Sequence, residues 1–134
     1  QYCSEKNFKG KRIKMTGFVQ SVGSDTTLTS MWIRVDDIDK HVIADFDNMM
    51  DRPIIGTKLW TKCEIVFDVP DASCVINYGL ILLGGGKAWL DNVSFEIVSS
   101  SVFKTAYYLN TPFYDSYQIP QDLPEEPDNL DFEE

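Results

Sequence analysis

Apolar and polar residues alternate with a period of two through most of the first hundred positions, the pattern of strands with one buried face. Across residues 12–22, Ile13, Met15 and Val19 alternate with Lys14, Thr16, Phe18 and Gln20. Residues 21–29 (SVGSDTTLT) have loop composition. Residues 30–36 alternate again, with Met31, Ile33 and Val35 on one face and Trp32, Arg34 and Asp36 on the other. Residues 36–40 read as a turn, 41–47 as a further strand, and 48–57 as irregular chain, because Pro53 and Gly56 interrupt pairing. A long strand over 58–69 places Leu59, Cys63, Ile65 and Phe67 together, and 74–83 is almost wholly apolar, as a strand covered on both sides is. Gly84-Gly85-Gly86 makes a glycine turn into a last strand over 87–98, with Trp89, Val93, Phe95 and Ile97 in phase and Trp89 expected in the core.

About six strands separated by turn residues, with no stretch of helical period, predict an all-β fold: an antiparallel β-sandwich or barrel over residues 1–100. Residues 101–134 change character. They carry four of the six prolines, several aromatics and a run of acids, and are expected to be an extended, irregular tail lying on the sandwich through Tyr107, Tyr108, Phe113, Tyr114 and Tyr117. With 134 residues there is room for one core.

The charge is placed unevenly. From Asp115 onward there are eight acids and no Lys or Arg, so 13 acids face 12 bases in the remaining chain. Lys6, Lys9, Lys11, Arg12 and Lys14 form a basic cluster best explained as an edge strand that discourages aggregation. The acidic balance and the lack of a broad basic face argue against direct nucleic-acid contact. No apolar run approaches the length of a membrane span, and residues 1–12 lack the apolar stretch of a secretory leader, so a cytoplasmic protein is expected. Cys3, Cys63 and Cys74 are odd in number and lack C-x-x-C spacing; Cys63 and Cys74 fall in apolar runs as buried free thiols. With His41 they match no standard zinc spacing.

Candidate chemistry is confined to one patch. Trp32, Arg34 and Asp36 share a strand face, and Asp47, Asn48 and Arg52 follow nearby in sequence. An aromatic plate with planar donors and short acceptors suits a ring-shaped polar ligand such as a sugar; the plainer reading is a structural ion-pair network under a surface tryptophan. Trp60, out of phase with Leu59, is either a second platform or a lid. The dense acids Asp36, Asp37, Asp39, Asp45, Asp47 and Asp51 admit calcium in principle, but they lack the EF-hand glycine and closing glutamate, and no cofactor is expected. The lone His41 has no serine or cysteine partner in a recognisable motif, so the chain is not expected to be an enzyme.

The runs MWIRVD (31–36), DFDNMMDRPIIGTKLW (45–60), EIVFDVP (64–70), INYGLILLGGGKAWLDNVSFEIV (76–98) and PDNLDFE (127–133) together resemble a domain of bacterial AraC-type transcription regulators. There the similar segment is a C-terminal accessory module beyond the helix-turn-helix region, and it also occurs as a small stand-alone protein. More distantly, Gly86-x-x-Trp89-Leu90-Asp91-Asn92-Val93 is similar to the last strand of galactose-binding-like jelly rolls, the fold of many carbohydrate-binding modules. The resemblance implies a jelly-roll sandwich and a non-catalytic module that senses a ligand or assembles subunits for a regulator. A carbohydrate-binding module and a structural dimerisation domain are the alternatives. It also implies no direct DNA contact by this chain, since no helix-turn-helix pattern is present. The ligand-binding expectation rests on Trp32, Arg34, Asp36, Asp47, Asn48, Arg52 and Trp60.

Overall fold

A computed structural model describes residues 7–108 with their side chains and the backbone of two flanking strands, Tyr2–Ser4 and Thr111–Pro112. Its described residues form strands and turns, with no helix. In chain order the strands are β1 (Tyr2–Ser4), β2 (Arg12–Gly23), β3 (Leu28–Asp37), β4 (Val42–Asp47), β5 (Ile54–Ile55), β6 (Lys58–Asp68), β7 (Cys74–Leu83), β8 (Gly86–Val98) and β9 (Thr111–Pro112). Six of these are the six expected from alternation, with ends displaced by two residues at most. The short β1, β5 and β9 were not foreseen. Among the described residues, no helix is long and apolar enough to cross a membrane.

All pairing is antiparallel. The larger sheet runs β1–β7–β3–β4–β9, with β5 continuing the row of β4 along β3; the smaller runs β6–β2–β8. Their inner faces share one core. Ile13, Met15 and Val19 of β2 meet Met31, Ile33 and Val35 of β3, and Ile65 and Phe67 of β6 meet Ile76 and Tyr78 of β7. These are the alternating residues of each strand, so burial of every second side chain holds the two layers together. Phe95 reaches across to Tyr78, with ring centroids 5.2 Å apart in an edge-to-face arrangement. Gly84 and Gly86 both take positive φ at the β7–β8 turn, as a glycine turn requires.

Cys63 and Cys74 are buried free thiols, as expected. Residues 99–107 lie along the sheets: the Phe46 and Tyr107 backbones bond reciprocally at 3.0 Å, and their rings meet edge-on at 5.8 Å. Phe113, Tyr114 and Tyr117 fall outside the described residues.

Three residues read in phase with the core are not buried: Trp89, expected in the core, is 44% exposed, Ile97 53% and Leu59 80%. For Trp89 the cause is a bulge in β8. Between Thr16 and Phe18 of β2 the partner moves from Ser94 to Asp91, one residue too many on β8, and Asn92 sits at φ 52°. The extra residue reverses the phase, so Val93 and Phe95 point inward but Leu90, not Trp89, continues their face. For Leu59 the cause is likewise an extra residue, on β6: between Val19 and Ser21 of β2 the partner moves from Thr61 to Lys58, which takes Leu59 out of phase with Cys63 and Ile65, and the cover also ends there. β4 stops at Asp47, so the first half of β6 faces the 48–57 loop rather than a strand.

Candidate functional site

The structure distributes the seven candidate residues over three surfaces. Trp32, Arg34 and Asp36 occupy alternate positions of β3 and share the outer face of the larger sheet. Neighbouring β7 sets Gly79 opposite Trp32 and Asn77 opposite Arg34. A Cβ at position 79 would lie 2.9 Å from the Trp32 Nε1, so glycine is what lets the indole rest along the sheet. Asp36 is fully buried. Its Oδ2 accepts from Arg34 Nη2 at 2.9 Å and from Asn77 Nδ2 at 3.0 Å. Arg34 Nε approaches Oδ1 at 2.8 Å as an ion pair rather than an aligned hydrogen bond. Burial pushes the Asp36 carboxyl above its ordinary value, and the Arg34 and Asn77 contacts pull it partly back. The donors that could have met a ligand are largely spent on this internal clasp.

Asp47, Asn48 and Arg52 lie on the other side of the same sheet. Asp47 pairs with Ile33, an inward residue, so its carboxylate enters the space between the layers. It is nearly buried and holds the 48–57 loop. Its Oδ1 accepts from the Met49 amide at 2.8 Å, and Arg52 Nη2 donates to Oδ2 at 2.6 Å. Arg52 also donates to Asp51 at 2.7 Å and to the Glu64 carbonyl of β6 at 3.2 Å. Burial lowers the Arg52 pKa, but hydrogen bonding and attraction to Asp47 and Asp51 more than reverse this, and it stands above its ordinary value. Asn48 spends its Oδ1 on the Met50 amide at 3.1 Å. Between this loop and β6 opens a cleft of about 770 Å³ whose lining includes Met49, Arg52, Ile54, Ile55, Lys58 and Cys63. Burial raises the Cys63 thiol pKa, keeping it protonated.

Trp60 lies on the third surface, the outer face of the smaller sheet, 49% exposed. The β8 bulge brings Trp89 to the same face, opposite Gln20, with Phe18 in the next row beside Lys62. A strict period of two through Asn92 assigns Trp89 to the core and hides its exposure beside Gln20. The Asp91-Asn92 pair was the available signal, since Asn tolerates the left-handed conformation a bulge uses.

A fourth cluster was not foreseen. Asp45, also facing inward, accepts from the Asp68 amide at 2.8 Å and pairs with Lys104 at 2.9 Å, beside a hollow of about 210 Å³. Arg12 grips Asp68 with both donors of one guanidinium edge, Nε and Nη2, at 2.7 and 2.9 Å, and its Nη1 donates to the Ser100 and Val102 carbonyls, fastening the chain after β8. Burial raises the Asp45 pKa, whereas the Arg12 hydrogen bond outweighs burial and lowers that of Asp68. The dense acids thus divide between opposite faces, and among the described residues no three His, Cys, Asp or Glu side chains gather as metal ligands do.

No protein-family model matches the chain, and no solved structure matches it. It is 40% identical over 134 residues, the whole of its length, to YbfP, an uncharacterized HTH-type transcriptional regulator of Bacillus subtilis (strain 168). The chain spans 41% of that protein's length.

Proposed function

We propose that this chain is a non-catalytic module of a bacterial HTH-type transcription regulator, serving to sense a ligand or to assemble subunits. The observation that carries this reading is the match to such a regulator along the entire chain, combined with the absence of any helix among the described residues. A helix-turn-helix reads DNA with a helix in the major groove. A chain with no helix among its described residues corresponds to a part of the regulator with another task. We assign the module to the AraC type and to a galactose-binding-like jelly-roll sandwich on the residue runs given above, and its two sheets with one shared core support that assignment. A regulator of transcription works in the bacterial cytoplasm. The non-catalytic reading is supported by Asp36, Asp45 and Asp47 each being held by a cation, and by Cys63 being held as a thiol.

The test is a chimera in which this chain replaces the matched segment of the Bacillus subtilis relative, expressed in a strain lacking that relative. The chimera should restore the relative's transcript profile, and a version without the segment should not. A truncated version that restores the full profile would overturn the reading, as would a folded chimera that restores nothing.

One observation favours a second reading, carbohydrate binding. Trp60 and Trp89 are both about half exposed, on the two strands that border β2, and aromatic rings presented to solvent on one sheet face suit stacking against sugar rings. Calorimetric titration with a sugar panel, repeated on Trp60→Ala and Trp89→Ala, decides it; absence of heat from every sugar removes it.

A further inference from the structure

The cleft between the 48–57 loop and β6 combines two chemistries. Its depth is apolar: Met49 and Ile54 are buried, Cys63 contributes a protonated thiol, and Ile55 forms a half-exposed wall. Its β6 side is cationic. Lys62 is balanced by Glu64 at 3.4 Å, but Lys58 has no ion pair among the described residues. Arg52 also lines the cleft, with its donors committed to Asp47, Asp51 and the Glu64 carbonyl, so it holds the loop in place and leaves Lys58 as the uncompensated charge. The volume, about 770 Å³, is that of a small-molecule site.

We propose that this cleft binds a small amphipathic carboxylate, with an apolar body of medium-chain-acid size against Met49, Ile54 and Ile55 and its carboxylate beside Lys58. The apolar body removes water from side chains that the larger sheet leaves uncovered, which is the favourable term for any hydrophobic ligand. The carboxylate is selected because Lys58 is a compact point charge that gains a partner, whereas an ammonium in the same place meets Lys58 with like charge. A sugar is disfavoured here, since the lining offers no aromatic plate. A bound ligand would bridge the loop carrying β5 to β6, tying the larger sheet to the smaller where they are otherwise open. The inference rests on the ligand-sensing half of the reading above and names the ligand class for it.

The full chain is titrated with sodium octanoate, with 1-octanol as the neutral control and octyltrimethylammonium as the cationic one. Alkylation of Cys63 is followed by peptide mass spectrometry, with Cys74, which is absent from the cleft lining, as the internal reference. Octanoate should bind at one site, more tightly than either control, and slow Cys63 alkylation several-fold without changing that of Cys74. Lys58→Glu should weaken octanoate by about tenfold and leave octanol unchanged, the size expected for reversing a partly screened charge near the carboxylate. Ile55→Asp, at a half-exposed position where folding is not at stake, should weaken both. The proposal is overturned if octanoate binds no better than octanol, if Lys58→Glu changes nothing, or if Cys63 stays unprotected. Such a failure leaves the regulator association standing, because the chimera reads that separately.

Discussion

Removing the Asp47 carboxylate should release the loop that walls the cleft. Asp47 is 3% exposed and binds the Met49 amide at 2.8 Å and Arg52 at 2.6 Å. Truncating one member of a fully buried ion pair costs about 3–5 kcal/mol, because the other charge is stranded. Arg52 is not fully stranded here. Its side chain is 31% exposed and keeps Asp51, so solvent screening cuts the ion-pair share of an Asp47→Ala change to about 1–2 kcal/mol. The orphaned Met49 amide adds about 1 kcal/mol. Asp47→Ala should therefore lower stability by about 2–3 kcal/mol, and Asp47→Asn by about half as much, since an amide oxygen still serves Met49. Urea unfolding read by tryptophan emission gives these values, and a cycle with Arg52→Ala should return a coupling of about 1 kcal/mol or more. An Asp47→Ala loss below about 0.5 kcal/mol with no coupling would refute the argument, because the pair would then behave as a surface salt bridge and something else would hold the loop.

Three further outcomes follow from the same geometry. Gly79→Ala puts a methyl 2.9 Å from the Trp32 indole and should cost about 1–3 kcal/mol with a shift in tryptophan emission; an unchanged unfolding midpoint would refute the close approach. Trp89→Ala should cost less than about 1.5 kcal/mol and Phe67→Ala about 3–5 kcal/mol, so equal losses would mean that Trp89 points inward after all. Asp68 is held below its ordinary value of 3.8 by Arg12, so its contribution is complete above that value and is lost as pH falls through the depressed one. The wild type should thus lose stability below about pH 4 more steeply than Asp68→Asn, and parallel curves would exclude the linkage. Asp36 and Asp45, raised by burial, act with the opposite sign: their contribution is present at low pH and falls as pH rises through their raised values, and for Asp45 the Asp68→Asn change also removes a charge that helps to raise it.

Strand positions were legible because each long strand here buries one face against a shared core, and burial of one face is what alternation records. β2 shows the rule at its strongest, with every second residue from Ile13 to Ser21 buried, whereas β7 is apolar throughout and covered on both sides only from Cys74 to Tyr78, its end at Leu82 and Leu83 being exposed. The same rule carries no information about how two strands are offset. Asp36 and Asp47 were grouped because they are close in sequence and on adjacent strands. The pairing of Ile33 with Asp47 sends Asp47 inward, while Asp36 faces outward. Composition could supply the chemistry of a site there, but only register could assemble one. The short β5 and β9 were invisible for a related reason: two residues are too few to show a period, and their pairing is decided by the strands they meet.

The register shifts also explain why the exposed chemistry collects at one end. The β8 bulge sends Trp89 outward to join Trp60, and a second shift between Val19 and Ser21 displaces the start of β6 along β2. The end of β4 at Asp47 then leaves that same start of β6 without a facing strand. The cleft and the Lys58 at its edge are consequences of this one arrangement, in which the inner face of the smaller sheet extends past its cover. A chain shaped by its own stability would place polar residues there, since each exposed Å² of apolar side chain forgoes about 25 cal/mol of burial. Leu59, Trp60 and Trp89 nonetheless stand exposed at this end of the smaller sheet.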